Sequence, residues 1–298
     1  MVTLAGGWMT GPTSVDALRP GDHACVTFSD PDERLDIVAA FVSDGLERGD
    51  QVICFTDSLT PDVLSGQLTE RGIELDTPLR HGQLRVLTSD ESWLLDGAVS
   101  ARRMVDLLGG YVADAAAEEY QGLRVTADMH WVTRPLVGVE QLLTFEREIA
   151  SLFTDGRFTA ICEYDRNSFD PVTLAFAAEA HTRTVAAAIY HEDPVLRVCR
   201  QYRPPGLRLA GEIDYTRLDV MLEALGEAVR LDHDIALNLI HLRFMDAAVA
   251  GAIVRAAAAL GGGRRIVVRC GPVIDRVLRL AGADDVIQLR VLAAHGAG

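Results

Sequence analysis

Short apolar runs of strand length alternate with amphipathic stretches of helical period along the whole chain, and this alternation restricts the fold to α/β architectures. Residues 24–28 read as a strand, and SDPDERLDIVAAFVSDGLERGD follows it. Asp30 suits a helix cap, Pro31 the first helical position, and Glu33 completes a capping box. Leu35, Val38, Ala39, Val42 and Leu46 supply the apolar stripe, and Gly49 stops the helix. The same reading predicts strands over 51–56, 84–88, 123–127 and 158–164, with helices over 61–71, 100–118, 139–152 and 169–180. Right-handed crossovers then give a mostly parallel sheet with helices on both faces. Its usable crevice lies beyond the carboxyl ends of the strands. Ser29 and Asp30, Asp57 and Ser58, Ser89 and Asp90, Asp128 to Trp131, and Tyr164 to Arg166 fall there.

A short strand is predicted over 184–190, and Asp193-Pro194 opens a linker. A tighter α/β unit follows, with strands near 196–199, 207–210, 234–239, 264–270 and 286–292 and helices near 216–230, 247–260 and 273–281. At 298 residues the chain has room for two such domains.

Several function classes are disfavoured. The 43 acidic against 28 basic residues give a formal charge of −15, which repels phosphate backbones and anionic lipid, so neither direct nucleic-acid nor membrane binding is expected. Polar residues interrupt every long apolar stretch, and the N-terminal MVTLAGGWMTGPTSVDALRPGD lacks the basic-then-apolar pattern of an export signal, so a cytoplasmic location is expected. Cysteines 25, 54, 162, 199 and 270 are odd in number, scattered, and without a CxxC pair, which reads as structural thiols.

The chain contains neither G-x-x-x-x-G-K-[ST] nor G-x-G-x-x-G, and Gly261-Gly262-Gly263 is a helix stop. After the first strand, SDPDE places carboxylates where a phosphate would need a free helix N-terminus. No cofactor and no catalytic residue is assigned. His23 and Cys25 share a strand face and could ligate a metal if His130 and Cys162 joined them; the plainer reading is a satisfied histidine or a small-ligand contact, and no metal is assigned. Asp128, His130, Trp131 and Arg134, facing Tyr164 and Asp165, form the densest polar and aromatic group, suited to an organic-ligand pocket, although Trp131 equally suits ordinary packing. Glu146 and Glu148, two apart on a helix, do not share a face.

GDHACVTFSDPDERLDIVAAFVSDGLERGDQVICFTD, RVTADMHWVTRPLVGVEQLLTFEREIASLF and FTAICEYDRNSFDP resemble, in order, the MEDS family of sensory domains over residues 10–190. That resemblance implies a RecA-like domain without a working phosphate loop that senses a small organic molecule; the candidate ligand contacts, chosen by their own placement, are His23, Asp128, His130, Trp131, Tyr164 and Asp165. LRLAGEIDYTRLDVMLEALGEAV and IALNLIHLRFMDAAVAGAIVRAAAALGGGRRIVVRCGPVIDRVLRLAGADDVI resemble STAS domains of the anti-sigma-factor-antagonist type over residues 195–292. The resemblance implies a smaller STAS-like fold whose Gly211–Asp214 turn and RFMD turn face an anti-sigma-factor kinase. Asp214, Met245, Asp246, Ala247 and Val249 are its implied contacts, though Phe244 and Val249 equally suit the core. The phosphorylated family serine aligns with Ala247, so the phosphorylation position is lost.

The expectation is a non-enzymatic signalling protein with a ligand-sensing domain and a partner-binding domain, and homodimerisation is compatible with it. The alternatives are a small-molecule enzyme using Asp128, His130 and Asp165, and a degenerate nucleotide-binding protein.

Overall fold

The computed structural model describes residues 12–94, 98–136 and 138–293; residues 1–11, with most of the Gly/Pro-rich lead-in and the start of the 10–190 span, lie outside the described residues. The chain divides into two compact units between Ala186 and Ala187.

The first unit runs β1 (His23–Phe28), α1 (Pro31–Arg48), β2 (Gln51–Thr56), α2 (Pro61–Glu70), α3 (Asp76–Arg80), β3 (Leu84–Thr88), α4 (Ala101–Ala117), β4 (Leu123–Asp128), α5 (Leu142–Glu148), β5 (Phe158–Asp165), α6 (Pro171–Ala180) and β6 (Arg183–Val185). Its six strands are ordered β3-β2-β4-β5-β1-β6 and every pairing is parallel. This is the parallel sheet with helices on both faces that the alternation predicts. Both faces are covered, which is why β2 and β4 are buried at every position. Leu35, Val38 and Val42 of α1 and Leu64 and Leu68 of α2 pack on Val52 and Cys54. On the other face Met104 and Leu108 of α4, Phe145 of α5 and Ala177 of α6 pack on Cys25, Ile53, Val125 and Cys162. Asp30 caps α1 by accepting the Asp32 N–H at 2.9 Å, and Gly49 ends it in the left-handed region at φ 82°.

The second unit runs β7 (Ile189–Glu192), β8 (Leu196–Gln201), β9 (Gly206–Ile213), α7 (Leu218–Leu231), β10 (Ile235–Leu239), β11 (Leu242–Met245), α8 (Ala247–Ala258), β12 (Ile266–Cys270), α9 (Pro272–Leu280) and β13 (Leu289–Ala293). β7, β8 and β9 are antiparallel, and β9, β10, β12 and β13 continue in parallel, with β11 beside the end of β9. Alternate strand residues such as Leu207, Leu209, Leu237 and Val268 meet Met221, Leu225, Ile253 and Leu278 from the three helices in one core. Gly211, at φ 102°, lets β9 leave Leu196 and take up β11; a Cβ there would lie 2.0 Å from the Val195 carbonyl oxygen.

Four details differ from the sequence reading. The strand predicted over 184–190 is split: residues 183–185 close the first sheet and 189–192 open the second. The helix predicted over 139–152 is α only across Leu142–Glu148 and continues as 3-10 turns on either side. α3 and β11 appear as additional short elements. Among the described residues no helix is long and apolar enough to cross a membrane.

Candidate functional site

The crevice beyond the strand ends is built around Arg34, a buried cation one turn into α1. Its Nη2 meets Asp128 Oδ2 at 2.9 Å, its Nε meets Glu163 Oε2 at 2.5 Å, and its Nη1 donates to Ser58 Oγ at 2.8 Å. Asp128 also accepts from Ser58 N–H and Oγ–H at 2.8 and 2.5 Å and from His130 N–H at 3.0 Å. Burial opposes its ionisation, but Arg34 and the Ser58 donors outweigh this and hold the carboxyl below its usual range. Burial pushes Glu163 upward against the pull of Arg34. Arg34 therefore ties α1 to the ends of β4 and β5.

On the rim, Asp57 is buried and pairs with His130 Nδ1 at 3.3 Å and with Arg134, which reaches on to Asp90 at 2.9 Å. Beside His130 opens a cleft of about 220 Å³, lined by Phe28, Leu35, Leu59, Asp128, His130 and Asp165 among others. The structure thus brings together Asp128, His130 and Asp165 of the residues expected to contact a ligand. Asp128 is a wall, with its oxygens already engaged. Asp165 binds the Asn167 N–H and Ser168 Oγ–H, at 2.9 and 3.1 Å.

The other three lie elsewhere. Trp131 is fully buried against Trp93 in the core, with ring centroids 6.4 Å apart, so the expectation of a ligand-facing indole is corrected: the 3-10 turn Met129–Thr133 after β4 carries it into the α4–α5 face. Tyr164 is likewise buried, edge-on to Phe169 and His181. His23 stacks on Phe153 at 4.5 Å and meets the tilted ring of His181 at 4.1 Å under the same face. The partners considered for His23 and Cys25 are also revised. Cys162 does join His23, but His130 stays on the rim, Cys25 turns toward Thr184, and His181 supplies the second imidazole. Ligand atoms of His23, Cys162 and His181 all lie within 4.8 Å of one another, and Glu146 Oε2 is 3.7 Å from His23 Nε2. Glu148, as expected, is on another face and exposed.

Arg34, Glu163 and His181 were not singled out from the sequence; Asp57 and Ser58 were placed at the crevice without a role, and Glu146 was weighed and set aside. The available signal was a charge on an otherwise apolar face: Arg34 beside Leu35, and Glu163 inside FTAICEYD, each of which needs a partner when buried.

Burial, then His181, pushes the His23 imidazole down to about 2; burial pushes His181 down to about 4 against a hydrogen bond to the Ala177 carbonyl, and burial raises Glu146 to about 7. Below about pH 6.5 the unfolded chain binds a proton on each histidine that the folded core refuses, whereas folded Glu146 keeps one that the unfolded chain releases above about pH 4.5. Near pH 5.5 the unfolded excess is two protons less one. Stability should therefore fall by about 1 kcal/mol per pH unit, on average, between about pH 6.5 and 5 and stay nearly flat above pH 7. Urea midpoints at pH 7.5 and 5.0 check this, and equal midpoints would contradict it.

In the second unit, Asp246 Oδ1 caps α8 through the Val249 N–H at 3.0 Å, while its Oδ2 accepts the Tyr215 N–H at 2.8 Å. Two turns are thereby joined into one surface. Tyr215 is 70% exposed, Phe244 48% exposed, and Ala247 is exposed as the first residue of α8. Asp214 and Asp246 are half-buried at its base. Met245 and Val249, expected on the surface, are instead 2% and 0% exposed: Met245 is an inward position of β11 and Val249 begins the apolar stripe of α8. Phe244, weighed as a core residue, faces solvent. A larger hollow, of about 470 Å³, lies at the opposite ends of these strands near Pro204, Pro205, Asp234 and Ala236, away from this surface.

The family model described as "MEthanogen/methylotroph, DcmR Sensory domain" (MEDS) matches residues 22–182, and the STAS domain model matches residues 200–294. No curated protein matches the chain. Among solved structures, a KaiC-like protein from the hyperthermophilic archaeon Pyrococcus horikoshii is similar at TM-score 0.45 and 12% identity, over 62% of this chain and 80% of that one. The flagellar accessory protein FlaH from Methanocaldococcus jannaschii is similar at TM-score 0.42 and 12% identity, over 63% and 81%.

Proposed function

This chain belongs to the MEDS family, and from that premise we propose that its first unit binds a small organic molecule while its STAS unit presents a permanently unphosphorylated surface to an anti-sigma-factor kinase. A sensory domain followed by a STAS domain is a signalling protein; the ligand, the partner, a cytoplasmic location and the absence of catalysis are the finer parts of this reading.

The observation that carries it is Ala247, exposed at the first position of α8 between Tyr215 and Phe244. A hydroxyl at this place would accept a phosphoryl group of about −2 charge, close to the carboxylates of Asp214 and Asp246, and the repulsion would alter docking. A methyl group cannot be switched in this way. The cleft supports the sensing half: about 220 Å³ bounded by Phe28, Leu35 and Leu59, with His130 and Asp165 among its polar groups, suits a molecule of few heavy atoms.

Titrating a purified anti-sigma-factor kinase from the same organism into the full chain tests the partner. Wild type should bind, and Ala247→Glu should bind at least about tenfold more weakly, roughly 1.4 kcal/mol, with its fold intact because a carboxylate is favourable at a helix N-terminus. Ala247→Ser should bind like wild type and gain one phosphoryl group from the kinase and ATP. Equal affinities for wild type and Ala247→Glu, or no binding by wild type, would remove the proposal.

A further inference from the structure

We propose that His23, Cys162 and His181, with Glu146 closing the set, form a buried site for a divalent transition metal of the zinc class. The site lies under the α4–α5 face of the first sheet, apart from the cleft, and does not draw on the partner reading.

Four separate elements converge here: the start of β1, the middle of β5, α5, and the residue after α6. Cys162 Sγ is 3.9 Å from His23 Nε2, and Glu146 Oε2 is 3.7 Å from the same nitrogen. Zn–S and Zn–N bonds of about 2.3 and 2.1 Å give a tetrahedral S···N edge of about 3.6 Å. The ligand atoms of the two histidines and the cysteine all lie within 4.8 Å of one another and must draw together by no more than about 1.2 Å to reach that figure.

Unsatisfied polar atoms point to the same place. His181 Nδ1 donates to the Ala177 carbonyl at 2.6 Å, which fixes the tautomer and leaves a lone pair on Nε2, and that atom has no hydrogen-bond partner. Both oxygens of Glu146 and the Tyr164 hydroxyl are buried without hydrogen bonds as well. His181 is 6% exposed and the Glu146 side chain 1%. So many unmet polar groups in an apolar core are costly unless a ligand engages them.

The donor set fits a borderline-soft cation. A thiolate and two imidazoles select zinc-like ions over calcium or magnesium, and thiolate plus carboxylate balance the charge of a divalent ion. Binding replaces the Cys162 S–H bond by a metal–sulfur bond and releases the proton, and any proton on Glu146, to solvent. Cys25, on the same face of β1, is outside the set: its Sγ turns to Thr184 Oγ1 at 3.8 Å and does not join the grouped ligand atoms.

The test is titration of chelator-treated full-length protein with Co(II) under anaerobic, thiol-free conditions. One equivalent should bind per chain with a sulfur-to-cobalt charge-transfer absorption. Cys162→Ala should abolish that absorption and Cys25→Ala should retain it. Cys162→Ser, the closer mimic should alanine fail to fold, should leave a cobalt spectrum without the sulfur band or none at all. Glu146→Gln should weaken cobalt binding at least tenfold. Zn(II) should raise the thermal midpoint of wild type and not that of the Cys162 variants. Failure of folded wild type to bind one equivalent, a spectrum lacking the sulfur band in wild type, or persistence of that band in Cys162→Ala or Cys162→Ser would overturn the site.

Discussion

Arg34→Met should lower the stability of the first unit by about 3–5 kcal/mol, the usual consequence of removing one member of a buried ionic group. The reason lies less in lost attraction than in what remains. Asp128 and Glu163, both 2% exposed, would keep their carboxylates in the core without a counter-charge. Asp128 retains the Ser58 and His130 donors, so Glu163 is the group left most exposed to the penalty. Arg34→Met combined with Glu163→Met should therefore recover more than half of the loss. Equilibrium urea unfolding of the single and double variants measures both. A single variant as stable as wild type would mean that water reaches these carboxylates, and the account of a dry ionic anchor would fail.

Gly211→Ala should destabilise the second unit by more than about 4 kcal/mol, in the rare tail of single substitutions. A left-handed backbone costs an L-residue about 1–2 kcal/mol by itself. The new Cβ would also stand 2.0 Å from the Val195 carbonyl oxygen, a backbone atom already bonded to Glu212 N–H at 2.9 Å, so no side-chain rotation relieves the contact. β8 must part from β9, and the Gly211 N–H bond to the His241 carbonyl, which brings in β11, is strained with it. Gly226→Ala is the matched control: it lies in α7 with open space around it and should raise stability by up to about 1 kcal/mol. Thermal unfolding of the two variants separates these outcomes, and a Gly211→Ala protein melting with wild type would contradict the argument.

Local chemistry made much of the fold readable. Asp30, Pro31 and Gly49 delimit α1, and the apolar runs of β2 and β3 lie where the sequence reading put them. The boundary between the sheets was not readable, because 184–190 is one apolar run, TVAAAIY, without a turn residue, and only pairing partners divide it. β11 escaped because four residues buried only at their two ends show no alternation. In the site, Asp128, His130 and Asp165 were legible as strand-end polar groups. His181 was not. It stands 158 positions from His23, as the numbering gives, and comes close only because β6 pairs with β1. Trp131 and Tyr164 misled for different reasons: the side of Trp131 is set by the 3-10 turn after β4, whereas Tyr164 follows the alternation of β5 inward with Phe158, Ala160 and Cys162.

The two bonds of Asp246 bear on how any partner would be met. With one oxygen on the Val249 N–H and the other on the Tyr215 N–H, the turn before α8 and the turn after β9 are held as a single block. Loops that order only on association surrender conformational freedom at that moment, at about 0.5–1.5 kcal/mol for each rotamer-rich side chain immobilised. Here the backbone share of that loss has been taken during folding. A partner docking on Tyr215, Phe244 and Ala247 would find a preorganised face, and its association rate should depend on encounter and not on loop rearrangement.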